Sequence, residues 1–495
     1  MADIEWLLDE IEHGPAGPQV GAFFDFDGTL VAGLSATESV VQGIQLDERR
    51  LRARAEDILR GGDAERHWSR IAELLSRGVG AAKSGEVDAT TAAARADAAE
   101  VDAWARRILE RKAAGMVYPQ ARVLLQAHRN LGHTVVIASS APRSHVRSTA
   151  QDLGIDNIVC TEVEVDPKGI ISGELSGDIR WGEGKAKGVA EFAAAQRINL
   201  AQSWAYSNGV EDLPLLELVG NPRPLNADDE LATVAQERGW PVGQLAVPPK
   251  PTPANLIRSV AAFSAFGGGV MAGAAMAILN RNRTLGTNVA ATVATELCLA
   301  IAGVNLHVIG AENLWSARPA VFIMNHQSQL DIMVLGALIR RDFTGVAKKS
   351  LAANPFFAPA GYLAEVAYID RGNNAAARAA LEPVVDTLKG GKSIIIFPEG
   401  TRSRTERLLP FKKGPFHIAI QAHVPIVPIV LRNCGELMRP HSLIVQPGTI
   451  DIAVLPPIDT STWNVGNLDE HIAAVRQQYL DTLRHWPAGE APELI

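Results

Sequence analysis

From Ser259 to Asn280 the chain runs for 22 residues without a charge. Arg258 stands before this run, and Arg281 and Arg283 follow it. As a helix it would be roughly 33 Å long, about the hydrocarbon thickness of a bilayer. A second apolar stretch, Thr284 to Val304, is interrupted only by Glu296. Three arrangements follow: one helix spanning a bilayer, a helical hairpin lying in one leaflet, or a buried helix pair in a soluble core. Gly267, Gly268, Gly269 and Gly273 keep the hydrophobicity per residue modest. Arginines at both ends give no orientation by loop charge. A single span would also place the two halves of the chain on opposite sides of the membrane, so the hairpin is the expectation.

The run sits near the middle of 495 residues, too many for one ordinary core, so two or three domains are expected. Just before it, Val247-Pro248-Pro249-Lys250-Pro251-Thr252-Pro253 reads as a stiff, extended linker. The expected division is 1–247, a linker at 248–253, apolar helices at 254–305 and a second catalytic domain at 306–495. Net charge is −8, which argues against a nucleic-acid binder. Locally the sign reverses. Arg340, Arg341, Lys348 and Lys349 cluster, as do Arg402, Arg404, Arg407, Lys412 and Lys413, where an anionic substrate or lipid surface would be met. Cys160, Cys298 and Cys434 are far apart and in no metal-ligand spacing. The acidic start, MADIEWLLDEIEHG, shows no signal peptide, so the cytoplasmic face of the cell membrane is the expected location.

After the apolar helices, Ala320 to Met324 reads as a buried strand and Ile332 to Ile339 as the start of a packed helix. Between them lies Asn325-His326-Gln327-Ser328-Gln329-Leu330-Asp331. A histidine at a strand end, with an aspartate in the next element, can form a base and its orienting carboxylate. On one continuous helix a spacing of five would put the two side chains on different faces, so a strand-to-helix turn is required. Strands are also read at Leu306–Ile309, Ser393–Phe397 and Val424–Leu431, alternating with helices as in an α/β sheet. His326 and Glu399 each follow a strand and can meet at one sheet edge. Beyond Pro456 the pattern gives a loop and an amphipathic helix at about Asp469–Leu483.

Three further stretches accompany NHQSQLD: Phe397-Pro398-Glu399-Gly400-Thr401-Arg402-Ser403, Val424-Pro425-Ile426-Val427-Pro428-Ile429, and Lys348-Lys349-Ser350-Leu351 through Ile369-Asp370-Arg371. In this order they resemble the glycerolipid acyltransferase family, which includes the 1-acylglycerol-3-phosphate acyltransferases, over roughly Leu306–Pro456. The resemblance implies transfer of an acyl chain from acyl-CoA or acyl carrier protein to lysophosphatidate, giving phosphatidate in phospholipid biosynthesis. His326 would be the base and Asp331 its orienter. Arg402 would bind the acceptor phosphate, Gly400 would let the backbone approach, and Glu399 would bond a glycerol hydroxyl. Lys349 and Arg371 are weaker candidates for the same phosphate.

The N-terminal half carries its own pattern. Gly21 to Phe26 is a short apolar strand ending in Asp25-Phe26-Asp27-Gly28-Thr29-Leu30. Two carboxylates two residues apart at the edge of a parallel sheet can hold Mg²⁺ and a phosphate. One can attack phosphorus while the other serves as acid and base. Downstream stand Thr134–Ala138 with Ser139-Ser140-Ala141-Pro142, Lys185, and Trp204–Ser207 leading to Asn208-Gly209-Val210-Glu211-Asp212-Leu213-Pro214. The set resembles the haloacid dehalogenase superfamily, in its phosphoserine-phosphatase-like branch, over about Gly21–Asp229. The resemblance implies a Rossmann-like domain with a helical cap at about 34–115. Asp25 would be the nucleophile, Asp27 the general acid and base, Ser139 and Lys185 the phosphate ligands, and Asp25, Asp27, Asn208 and Asp212 the Mg²⁺ site. Asn208 stands where the family has an acid, which removes a charge from a hard-cation site. Alternatives therefore stay open: a chain that is chiefly a Mg²⁺-dependent phosphomonoesterase, or an acyltransferase with a non-catalytic N-terminal module.

Overall fold

The computed structural model describes residues 4–32, 98–99, 102–103, 106, 116–247, 251–354, 357–369, 383–403, 405, 407–439 and 442–487. Most of the expected cap at 34–115 lies outside the described residues, as do Arg371 and Arg404. The chain divides into two compact units, Met1–Pro249 and Lys250–Ile495. Both are α/β, as the sequence implied.

In the first unit, five parallel strands form one sheet: β1 (Gly21–Phe24), β2 (Thr134–Pro142), β3 (Asn157–Thr161), β6 (Trp204–Ser207) and β7 (Asn221–Pro224), in the order β3-β2-β1-β6-β7. A separate hairpin, β4 (Val163–Val165) and β5 (Ile171–Leu175), follows β3. Side chains alternate across β1, so Phe24 joins one core and Phe23 another. The first core takes α1 (Glu5–Glu12), α2 (Pro119–Asn130) and α3 (Arg143–Leu153) through Leu7, Leu124 and Val146. The second takes α4 (Glu183–Gln196), α5 (Leu213–Glu217) and α6 (Asp229–Arg238) through Val189, Leu215 and Leu231. A sheet covered on both faces explains why β1 and β6 are wholly buried. The chain order reverses beside β1, which puts a crevice at its carboxyl end. β7 reads Asn-Pro-Arg-Pro and is tolerated because it is an edge strand.

The second unit opens with α7 (Pro253–Leu279) and α8 (Arg283–Ala302). Thr252 accepts the Asn255 N–H and Pro253 occupies the first turn, so the proline-dense segment ends as a helix cap. Asn282 caps α8 in the same way. The two helices pack through small residues. A Cβ on Gly269 would lie 2.4 Å from Ala294 Cα, and one on Gly273 would lie 2.5 Å from the Gly286 carbonyl oxygen. Both helices are long and apolar enough to cross a membrane by length and composition. Yet Phe266, Ala294 and Cys298 share a core with Phe322, Met324 and Val334 of the sheet domain, while Ile257, Ile278 and Leu279 are more than 70% exposed.

Behind the helices, seven strands form a mixed sheet: β8 (Val304–Ile309), β9 (Val321–Met324), β10 (Phe343–Lys348), β11 (Ala367–Ile369), β12 (Ser393–Ile396), β13 (Ile426–Arg432) and β14 (Gly448–Val454). Their order is β11-β10-β12-β9-β13-β14-β8, with β14 antiparallel to β13 and the other pairs parallel. One face packs on α7, α8 and α9 (Asp331–Ile339). The other packs on α10 (Gly414–Ala422) and α11 (Leu468–Arg484). Pro428 lies inside β13, where it cannot donate to the ladder. The Tyr479 hydroxyl fills the gap: it donates to the Ile323 carbonyl at 2.7 Å and accepts the Ile429 N–H at 3.2 Å.

Candidate active sites

β9 ends at Met324 and α9 begins at Asp331, so the six residues between them supply the strand-to-helix turn that the His–Asp spacing requires. Asn325 fixes the start of that turn. Its side chain donates to the Leu431 carbonyl at 2.9 Å and accepts the Leu431 N–H at 2.7 Å. Asp331 is fully buried, and its Oδ2 accepts the His326 Nδ1–H at 2.7 Å and the N–H groups of Gln327 and Ser328 at 2.7 and 2.9 Å. A carboxylate can only accept, so Nδ1 carries the proton and Nε2 keeps its lone pair. The imidazole stacks on Phe397, with centroids 3.9 Å apart.

Glu399, 2% exposed, sits behind the histidine. Its Oε1 accepts the His326 N–H at 2.7 Å and its Oε2 the Leu409 N–H at 2.8 Å. Burial pushes its carboxyl up to about 7, against those two hydrogen bonds. The sequence suggested a substrate hydroxyl for this carboxylate; both oxygens already hold backbone groups. Gly400 has φ +71°, a left-handed conformation that favours glycine. Ser403 donates its N–H to the His326 carbonyl at 2.8 Å, tying the Glu399–Ser403 loop to the His326–Asp331 turn. 

A cavity of about 510 Å³ opens at His326. Its polar lining includes Arg402, Ser403 and Lys348; its apolar lining includes Phe266 and Val270 of α7, Ala291 of α8, and Phe343 and Phe357. A charged head and an apolar tail would thus both find matching surface. Lys349 is exposed and does not line the cavity, and neither do Pro425 and Pro428.

In the first unit, Asp25 directly follows β1 and Asp27 bridges to Val31. Lys185, in the first turn of α4, places Nζ 2.8 Å from Asp25 Oδ1 and 2.6 Å from Asp212 Oδ2, all three nearly or fully buried. Ser207 also donates to Asp212 Oδ2 at 2.6 Å. Burial pushes the Asp25 carboxyl upward, opposed by the Lys185 ammonium. Ser139 lies buried in β2, where its Oγ accepts the Ala141 N–H at 3.1 Å. Sequence reasoning passed over His145, on α3. Burial lowers its pKa, and the charge of the Asp27 carboxylate opposes that shift.

The donors around Asp25 fit a hard cation. They are oxygens throughout: the Asp25 and Asp212 carboxylates, Asp27, and the Asn208 amide, whose Oδ1 accepts from Thr29 Oγ at 3.3 Å. Asp212 Oδ1 is buried with no hydrogen-bond partner, a lone pair left for such an ion. The set is short of charge, however. Among the described residues no three His, Cys, Asp or Glu side chains converge on one point.

The family profile described as Acyltransferase matches residues 305–432, and that described as haloacid dehalogenase-like hydrolase matches residues 22–217. The chain is 36% identical over 197 residues to the 1-acyl-sn-glycerol-3-phosphate acyltransferase of Limnanthes douglasii, covering 40% of this chain and 68% of that protein. It is 38% identical over 185 residues to the Saccharomyces cerevisiae protein of the same name, covering 37% and 61%. It thus spans about two thirds of the length of these relatives. Among solved structures it is similar to the 1-acyl-sn-glycerophosphate (LPA) acyltransferase of Thermotoga maritima, at 21% identity and TM-score 0.39 over 46% of this chain and 97% of that one, too distant a likeness to carry an argument. The chain belongs to the 1-acyl-sn-glycerol-3-phosphate acyltransferase family, and it carries a haloacid dehalogenase-like hydrolase domain ahead of the acyltransferase domain.

Proposed function

We propose that the second unit transfers an acyl chain from acyl-CoA or acyl carrier protein to the free hydroxyl of lysophosphatidate, giving phosphatidate. The observation that carries this reading is the His326 Nδ1–Asp331 Oδ2 bond of 2.7 Å beside a largely apolar cavity that His326, Lys348 and Arg402 line. His326 Nε2 takes the hydroxyl proton as the oxygen attacks the thioester carbonyl. The C–S bond then breaks, and the imidazolium returns the proton to the departing thiolate. Asp331 stabilises the imidazolium between these steps. A positioned base of this kind contributes roughly 10² to 10⁴ in rate. Arg402 offers the acceptor phosphate a planar pair of donors, and Lys348 lines the same cavity. The exposed apolar side chains of α7 fit a lipid surface at the cytoplasmic face of the membrane, with the hairpin in one leaflet.

The first unit is read as a phosphomonoesterase, favoured by the Asp25–Lys185–Asp212 cluster. Asp25 would attack phosphorus, Asp27 would protonate the leaving oxygen and then deprotonate the water, and Lys185 with Ser139 would hold the phosphoryl oxygens. Asp25, Asp27, Asn208 and Asp212 would hold Mg²⁺, which when bound neutralises phosphoryl charge. A non-catalytic binding module is the second reading, favoured by the amide at position 208.

The deciding experiment supplies membrane-reconstituted full-length protein with radiolabelled lysophosphatidate, acyl-CoA and Mg²⁺. Phosphatidate formed by the wild type and lost in His326→Ala supports the acyltransferase; acyl transfer that survives His326→Ala removes the mechanism. Phosphate release lost in Asp25→Asn supports the phosphatase. If the wild type releases none from any phosphomonoester and binds no Mg²⁺, the first unit is a binding module.

A further inference from the structure

The C-terminal helix α11 lies beyond residues 305–432, the span of the acyltransferase match. It nevertheless reaches the back of the catalytic turn at two points. Tyr479 bonds the Ile323 carbonyl, three residues before His326, as described above. One turn earlier, Arg476 donates from its guanidinium to the Leu408 carbonyl at 3.0 Å and from Nε to the Leu409 carbonyl at 3.3 Å. Leu409 in turn gives its N–H to Glu399 Oε2, and Glu399 Oε1 takes the N–H of His326. A continuous series of hydrogen bonds therefore runs from Arg476 through the Leu408–Leu409 backbone and the Glu399 carboxylate to the catalytic histidine.

From this geometry we infer that Arg476 is a positioning residue for His326, acting through Leu409 and Glu399. Two backbone carbonyls held by one planar guanidinium fix the orientation of the Leu409 peptide, and so aim its N–H at the carboxylate. Glu399 can serve both N–H donors only while ionised. Once protonated, one oxygen becomes a donor and one of the two bonds is lost. The charged groups around Glu399 are Asp331, which raises its pKa, and Arg476, which lowers it; the Tyr479 hydroxyl lies close by. Removing the guanidinium therefore loosens the loop and also moves Glu399 protonation to higher pH. The helix is thus part of the catalytic apparatus, although no residue of it lines the cavity.

The inference rests on the acyltransferase reading for its consequence in rate, so the test has one readout that needs no turnover. Full-length wild type, Arg476→Gln and Arg476→Lys, in the same detergent, are compared by amide hydrogen exchange and by the pH profile of acyl transfer to lysophosphatidate. Arg476→Gln is expected to speed exchange at least tenfold at Leu409 and His326, with β10 and β14 unchanged. It is also expected to lower kcat about tenfold with KM within twofold, and to move the acidic limb of the profile to higher pH. Arg476→Lys, which keeps the charge, should restore the position of that limb. If exchange at His326 is unchanged in Arg476→Gln, or rises equally across all strands, the positioning role is overturned. If the wild type transfers no acyl chain, the functional reading falls while the exchange result still decides the structural one.

Discussion

Glu399 holds His326, the proposed base, by its backbone: Oε1 accepts the His326 N–H at 2.7 Å. The carboxylate is 2% exposed and its pKa is pushed up to about 7 by burial. As pH falls through that value, Glu399 takes a proton and can no longer accept both amides. Acyl transfer is expected to decline on the acid side near pH 7. Glu399→Gln, which cannot titrate, should lower the rate about tenfold to hundredfold and flatten that limb, as read from kcat against pH.

Asp331→Asn tests the orienting pair. The carboxylate accepts three N–H groups on one oxygen and fixes the His326 tautomer. An amide has one accepting oxygen and a competing donor, so about a 10²-fold loss in kcat or more is expected, with the protein still folded. Steady-state kinetics and a melting curve on one preparation separate the two effects.

The hairpin glycines make opposite predictions within one helix. A side chain on Gly273 would collide with the Gly286 carbonyl and Ala290, whereas nothing lies within 4 Å of a Cβ on Gly268. Gly273→Val should lower the melting temperature of the second unit strongly. Gly268→Ala should be neutral or stabilising by up to about 1 kcal/mol, because alanine is the better helix former.

In the first unit, Tyr206 donates to His128 Nε2 at 2.7 Å, His128 Nδ1–H meets His133 Nδ1 at 2.8 Å, and His133 donates to the Pro15 carbonyl at 2.7 Å. This series is complete only with both rings neutral. Burial lowers the pKa of each, that of His128 well below 6.5. The unfolded chain then binds protons that the folded one refuses. Stability from this cluster is present above pH 6.5 and is lost as pH falls below it. His128→Asn should reduce the acid-side slope of melting temperature against pH.

Asn208→Asp restores a carboxylate beside Asp25 and Asp212. Mg²⁺ should bind more tightly, by about tenfold, in a titration followed by calorimetry. An unchanged affinity would place the ion elsewhere.

Much of this architecture was legible in the chain. β9, Val321–Met324, falls inside the strand expected at Ala320–Met324, because its apolar, fully buried run leaves little ambiguity. The turn from His326 to Asp331 followed from the spacing alone. β7 was hidden by its two prolines, which read as a loop unless the strand is known to be an edge. β10 contains Gly345 and alternates in burial as a half-covered strand does, and β14 carries Thr449 and Asp451; neither shows the continuous apolar run that marked β9. The support behind the site was also hidden. His326 and Glu399 were expected at one sheet edge, but Leu409 and Arg476 join them only through the tertiary fold, and the separation of 67 residues between those two carries no periodic signal. The cap, and with it any reading of phosphomonoester choice, falls on residues outside those described.

The shared core of α7, α8 and the sheet sets a limit on how this protein can be taken apart. Phe266, Ala294 and Cys298 are neighbours of Phe322 and Val334, which lie on the elements flanking the histidine turn. A version cut at Gly303 to gain solubility would strip α7 and α8 from one side of the sheet, leaving α9, and would remove Phe266, Val270 and Ala291 from the cavity wall. The helices proposed to meet lipid therefore also wall the cavity at His326, and the second unit cannot be freed of them without losing part of that wall.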